Sequence, residues 1–246
     1  MLFCRPDGTS IDKDTFVSLY SDDYFLKEPG MGVVPNLSRC SHYIENEIMA
    51  IRDNGIKSQR DVARLLAWKI GKIRHRESEK SQSFMFASDW KNADLLEGVK
   101  LYGKPFAIGT IADYIFRNCQ ALENLAKEHP QALLNTLNEQ GFERIGTVYL
   151  ITLLYFLSHR WYPIYDRFAV MALKAIKGCI RPKCKEKVGI DYIPLPEKTS
   201  EQFSTVMSVC MTEYMNMLST IFGDNYRDDR RIDQALWVYG HLFTKQ

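Results

Sequence analysis

The chain has 246 residues, 46% of them hydrophobic and 12% aromatic, enough apolar material for a folded globular protein with a substantial core. Its 32 basic and 30 acidic residues leave a formal net charge of +2, so binding to nucleic acid would have to come from local basic patches, not from a global field. The longest apolar run, 148–157, is about half of the ~20 residues that cross a bilayer, so it reads as a buried helix and no membrane association is expected.

Residues 1–36 mix Pro, Gly and Asp with aromatic residues at Phe16, Tyr20, Tyr24 and Phe25, and are expected to form an irregular arm packed on the body. From Ser38 the pattern turns helical, with Tyr43, Ile44, Ile48 and Ile51 at three- and four-residue steps and Gly55 as a stop. Ser58 then caps a second helix, with Asp61 three positions later and an apolar stripe of Val62, Leu65, Leu66 and Ile70. That helix runs into Lys69, Lys72, Arg74, His75 and Arg76, a basic cluster that reads either as a phosphate contact or as a solvated helix end. Residues 77–83 are polar without a period and predict an exposed loop. Further helices are predicted over 90–98 and 108–126, the second with Ile111, Ile115, Leu122 and Leu125 on one face, and Pro130 separates it from the central segment.

Residues 131–176 carry the most specific pattern. Leu133, Leu134 and Leu137 give a first helix its packing face, and Gly141 stands where helices commonly end in the left-handed conformation. The turn Phe142-Glu-Arg-Ile-Gly-Thr147 comes next, where Gly146 would let the backbone N–H groups of the next helix approach a phosphate, with Arg144 and Thr147 beside it. The next helix, 148–157, is apolar nearly all round and must be covered by others. A short loop, His159-Arg-Trp-Tyr-Pro-Ile-Tyr165, then delivers Asp166 to the start of an amphipathic helix bearing Phe168, Met171, Ala172, Ala175 and Ile176. An Asp at such a junction is commonly an N-cap.

Residues 177–200 are rich in Lys, Pro and Gly and read as a surface connection. Two helices close the chain: 201–221, with Phe203, Val206, Cys210, Tyr214, Met217 and Ile221 in phase and Gly223 as its end, and 229–243, with Ile232, Leu236, Tyr239 and Phe243 on one stripe. No alternating strand pattern and no repeat stands out, so the expected class is all-α. The six cysteines (Cys4, Cys40, Cys119, Cys179, Cys184, Cys210) are scattered, and no signal segment precedes them, so reduced thiols in a cytoplasmic protein are expected. Cys179 and Cys184 lack the spacing of a cluster site, and neither metal nor cofactor is expected.

The order of helix, hairpin with Ile145-Gly146-Thr147, apolar helix, loop with Pro163-Ile-Tyr-Asp166 and further helix resembles the helix-hairpin-helix DNA glycosylase superfamily, in particular its 8-oxoguanine glycosylase-like branch. The resemblance covers 131–176. It implies one helical domain of two packed subdomains with a cleft between them, a hairpin whose backbone grips the phosphates of double-stranded DNA, and Asp166 as the catalytic carboxylate. Arg144 stands where the family's hairpin has a second glycine, and Pro163 is one position further from the acid than in the family's Pro-x-Asp. Val148 replaces the lysine that forms a Schiff base in the bifunctional members, and its side chain can form no imine. The implied activity is therefore monofunctional: a damaged or modified base is flipped out and its glycosidic bond hydrolysed, in repair or in defence against modified foreign DNA.

The implied DNA contacts are Arg144, Ile145, Gly146, Thr147 and Val148. Trp68 and Lys69 are candidates for a base pocket, since an indole stacks and an ammonium bonds a base edge, and His159, Arg160 and Tyr165 are further pocket or phosphate candidates. A core tryptophan beside a solvated lysine is the alternative for the first pair. Residues 230–237 are similar to a closing helix of the same branch, and His241 is read as structural. A monomer is expected. A catalytically silent DNA-binding relative and a helical interaction scaffold remain the alternative functions.

Overall fold

The computed structural model describes residues 3–25, 42–69, 73–78, 81–86, 99–101, 104–106, 108–140, 147–182 and 204–243. These are mostly helical, and the chain divides into two compact units. The first is assembled from Met1–Arg39, Pro163–Pro196 and Thr205–Gln246, and the second from Cys40–Tyr162 and Glu197–Ser204. The division falls at Tyr162 and Pro163, inside the loop that leads to Asp166.

In the second unit, α2 (His42–Asn54) ends as expected at Gly55, whose φ of +78° is left-handed and suits a residue without Cβ. Ser58 caps α3 (Gln59–Lys69): its hydroxyl accepts from the Asp61 N–H at 3.2 Å, while the Asp61 carboxylate reaches back to the Lys57 N–H at 2.9 Å. Beyond α3 come α4 (Ile108–Arg117), α5 (Cys119–Glu128), α6 (Pro130–Glu139) and α7 (Thr147–Leu157). The expected single helix over 108–126 is thus two, broken at Asn118, whose amide bonds the Tyr114 carbonyl at 2.8 Å and competes with the helical ladder. From Leu150 onward every residue of α7 is buried, because α3 and α5 pack on it and its sequence offers no polar face to water.

Within the mostly helical class expected, the described residues also hold three two-stranded antiparallel ribbons that no alternating pattern announced. They pair β1 (Phe3–Cys4) with β2 (Ser10–Ile11), β3 (Ile73–Ser78) with β4 (Ser81–Phe86), and β5 (Val99–Leu101) with β6 (Lys104–Phe106). In the longest, Ile73 pairs with Phe86 and Ser78 with Ser81. Of the polar stretch expected to be a loop, Glu77, Ser78 and residues 81–83 therefore lie in strands, and Arg74, His75 and Arg76 lie in a strand instead of at a helix end. Serine, glutamate and glutamine fill positions that would otherwise alternate, so period two is hidden in the sequence. The helix expected over 90–98 lies outside the described residues.

In the first unit the expected irregular arm is another correction. It holds the β1–β2 ribbon and α1 (Lys13–Asp23), capped by Asp12, whose side chain accepts from the Thr15 N–H at 2.8 Å. Phe16, Val17 and Tyr20 form a buried stripe that packs along the last helix. The unit also contains α8 (Arg167–Lys177), a π-helical turn Val206–Cys210 leading into α9 (Met211–Phe222), a 3₁₀ turn Asp224–Arg227, and α10 (Arg230–His241). Gly223 ends α9 with φ +88°, as expected. No helix among the described residues is long and apolar enough to cross a membrane.

Candidate functional site

Asp166 is the N-cap of α8, which is the plain reading of its sequence position. Its backbone is extended (φ −129°, ψ 141°) and its Oδ1 accepts from the Phe168 N–H at 2.9 Å. The three residues before it, Pro163, Ile164 and Tyr165, are buried, while Asp166 itself is partly exposed. The loop is held from below by α9. The fully buried Tyr214 donates its hydroxyl to the Ile164 carbonyl at 3.3 Å, and its ring meets Tyr165 edge-on at 5.2 Å. Burial, and then the nearby Asp166 charge, push the Tyr214 hydroxyl well above the usual phenol range, so it stays a donor.

The other wall at the start of α8 comes from α10. Gly240 lies against the Phe168 backbone so closely that a Cβ there would run into the Phe168 carbonyl. The next residue, His241, stacks on the Phe168 ring with centroids 3.5 Å apart and planes 23° apart. Trp237 stands beside both, 4.1 Å from His241 and 6.2 Å from Phe168, and the Arg167 guanidinium lies 4.5 Å from the Phe168 centroid. Phe168, Trp237 and His241 are all partly exposed. This half-open aromatic group beside a carboxylate was not legible beforehand, because it joins residues from two helices separated by more than sixty positions of sequence.

The remaining candidates belong to the second unit. Thr147 is the first residue of α7 and its side chain is buried, so any phosphate contact there would come from its backbone N–H. Trp68 is partly buried: its indole N–H donates to Glu45 at 3.2 Å and its ring meets Phe156 edge-on at 6.1 Å. That geometry agrees with the core alternative for Trp68. Glu45 itself is only 3% exposed.

His159 and Arg160 come directly after α7 with φ of +50° and +72°. Their N–H groups bond back to Phe156 and Tyr155 carbonyls at 3.1 and 2.9 Å, the two bonds of a Schellman ending, in which His159 takes the place usually given to glycine. His159 Nε2 lies 3.5 Å from Glu123. Nearby, Arg52 clasps Asp53 through two nitrogens at 2.8 and 3.0 Å and donates to the Tyr155 hydroxyl at 3.2 Å. The Arg52 hydrogen bond holds the Asp53 carboxyl below its usual range against the opposing effect of burial, and the Arg160 charge adds to it. Trp161, next in the loop, is 55% exposed.

Arg144, Ile145 and Gly146 lie outside the described residues, as do the side chains of Lys69 and Val148. Among the described residues no group of three or more His, Cys, Asp or Glu side chains is placed to hold a metal ion. Cys4, Cys119, Cys179 and Cys210 are free thiols, and burial with the Glu123 charge pushes the Cys119 thiol up to about 12. No family model, no curated protein and no solved structure matches the chain.

Proposed function

We propose that the chain is a monofunctional DNA glycosylase of the helix-hairpin-helix kind, acting on double-stranded DNA in the cytoplasm, with Asp166 as its catalytic carboxylate. The observation that carries this reading is the placement of Asp166: a partly exposed carboxylate at the head of α8, delivered by a buried loop that is bonded to Tyr214. The sequence order around it resembles that of the glycosylases, and the helix α7 that precedes the loop is buried throughout its second half.

In the proposed reaction the target nucleotide is flipped out of the duplex, and the bond between C1′ and the base breaks as positive charge develops on the sugar. The Asp166 carboxylate stabilises that charge and takes a proton from the attacking water. Backbone N–H groups at the start of α7 and in the hairpin before it bind phosphates, with Arg144 contributing a charge. Val148 stands where an imine-forming lysine would be needed, so the product is an intact abasic strand.

A second reading, a silent DNA-binding relative, is favoured by one observation: capping by itself accounts for the Asp166 side chain. The test separates the two. Duplexes carrying a panel of modified bases are incubated with protein and then treated with alkali to cut at abasic sites. The glycosylase reading expects alkali-dependent cleavage by the wild type that is lost in Asp166→Asn, whose amide still caps α8 and leaves stability near that of the wild type. Binding without cleavage on every duplex would favour the silent relative, and absence of binding at low salt would remove both.

A further inference from the structure

The electron pair of the broken glycosidic bond leaves with the base, and Asp166 does nothing for the negative charge that arrives there. A proton donor near the head of α8 would complete the reaction. Resting on the glycosylase reading, we propose that His241 is the acid that protonates the departing base.

Three observations carry this. First, Phe168 touches both groups: its N–H donates to the Asp166 carboxylate at 2.9 Å, and its ring stacks on the His241 imidazole with centroids 3.5 Å apart. Second, the backbone fixes this contact. Gly240 lies directly against the Phe168 carbonyl, so α10 meets α8 backbone to backbone and the next residue, His241, is held beside Phe168. Third, the tautomer is set. His241 Nδ1 lies 2.7 Å from the Trp237 carbonyl oxygen, which can only accept, so Nδ1 keeps its proton in both charge states. Nε2 is therefore the nitrogen that gains and loses the proton, on a ring that is partly exposed.

The step balances. Water oxygen bonds to C1′ and loses a proton to Asp166; the C1′–N bond breaks, its electron pair passes to the base nitrogen, and that nitrogen, or a ring atom conjugated with it, takes the proton from His241 Nε2. The neutral imidazole regains its proton from solvent. Charged and titratable groups around the cluster include Asp166 and Arg167 from α8, Tyr24 at the end of α1 against Trp237, and, lower on α10, Arg230 paired with Asp233 and lying over Tyr24.

The test uses the full chain and a duplex that the wild type cleaves. His241→Phe keeps an aromatic ring to stack on Phe168, and His241→Gln keeps a polar side chain; neither can donate a proton as an acid. Both are expected to lose about 10²-fold or more in single-turnover rate with DNA affinity and thermal midpoint unchanged. The wild-type rate should fall as pH rises through the imidazole titration, and that fall should be absent in both variants. A His241→Phe protein that retains the wild-type rate and pH profile, while Asp166→Asn is inactive, overturns the role of His241 and leaves the glycosylase reading standing. A wild type that releases no base at any pH overturns both.

Discussion

At Cys179 the backbone is left-handed, with φ +52°, and the residue is exposed. Its N–H bonds the Ile176 carbonyl at 3.2 Å and the Ile180 N–H bonds the Ala175 carbonyl at 2.8 Å, so Cys179 occupies the glycine position of a Schellman ending while the glycine, Gly178, sits one place early. Replacing Cys179 by Gly removes a Cβ from a region that disfavours it and sacrifices no buried contact. The expected gain is about 0.5–1 kcal/mol, after the greater freedom of the unfolded chain is subtracted, read from the denaturant midpoint. Gly240 is the opposite case, since its helical backbone would accept alanine but the Phe168 carbonyl leaves no room. Gly240→Ala should destabilise by about 3 kcal/mol, because two helix backbones must separate; a variant as stable as the wild type would disprove the close approach of α10 to α8. Residues whose role is local were legible in advance: Gly55, Gly223, and Ser58 with Asp61 all act on neighbours within four positions. Gly240 was not, because what crowds it comes from another helix.

At the scale of elements, helices with an apolar stripe and a cap were readable, and those that rely on tertiary contacts were not. The α10 helix begins at Asp229, whose carboxylate accepts from the Arg231 N–H at 3.0 Å and holds the Arg231 guanidinium at 2.8 Å. The Arg231 side-chain bond holds the Asp229 carboxyl below its usual range despite the opposing effect of partial burial. A depressed carboxylate contributes stability that is present above the unfolded value of about 3.9 and is lost as pH falls through the lower folded value. The stability of the wild type should therefore decline below about pH 4 more steeply than that of Asp229→Asn, which retains the cap but cannot titrate; parallel declines in urea midpoints would refute the linkage. In α1 the spacing of Phe16, Tyr20 and Tyr24 by four was present in the sequence. The Pro- and Gly-rich neighbourhood masks this period in the sequence, and α10, packed along α1, supplies the surface that the stripe covers.

The chain divides into two units, and the first is assembled from three segments, Met1–Arg39, Pro163–Pro196 and Thr205–Gln246. Phe3, Tyr20, Phe222 and Tyr239 surround Phe16, and the Tyr239 hydroxyl donates to the Cys4 carbonyl at 2.8 Å. Phe16 and Tyr20 are fully buried there, so deleting residues 1–24 would uncover the apolar face of the same α10 that carries Gly240 and His241. The truncated chain should lose the cooperative unfolding of this unit and the near-ultraviolet signal of its packed rings, together with any base release, while helices of the second unit persist. Retention of a full two-transition profile would show the N-terminal segment to be dispensable.

The sequence by itself determined the helical class, most helix ends, the buried character of α7 and the placement of an acid at the head of α8, because each arises from hydrophobic period or from capping within a single turn. Only the tertiary structure decided that Trp68 turns its indole onto Glu45, that the N-terminal arm is core, and that Phe168, Trp237 and His241 gather beside Asp166. Those outcomes depend on which surfaces meet across long stretches of chain, and a one-dimensional pattern specifies the period of a face without specifying its partner.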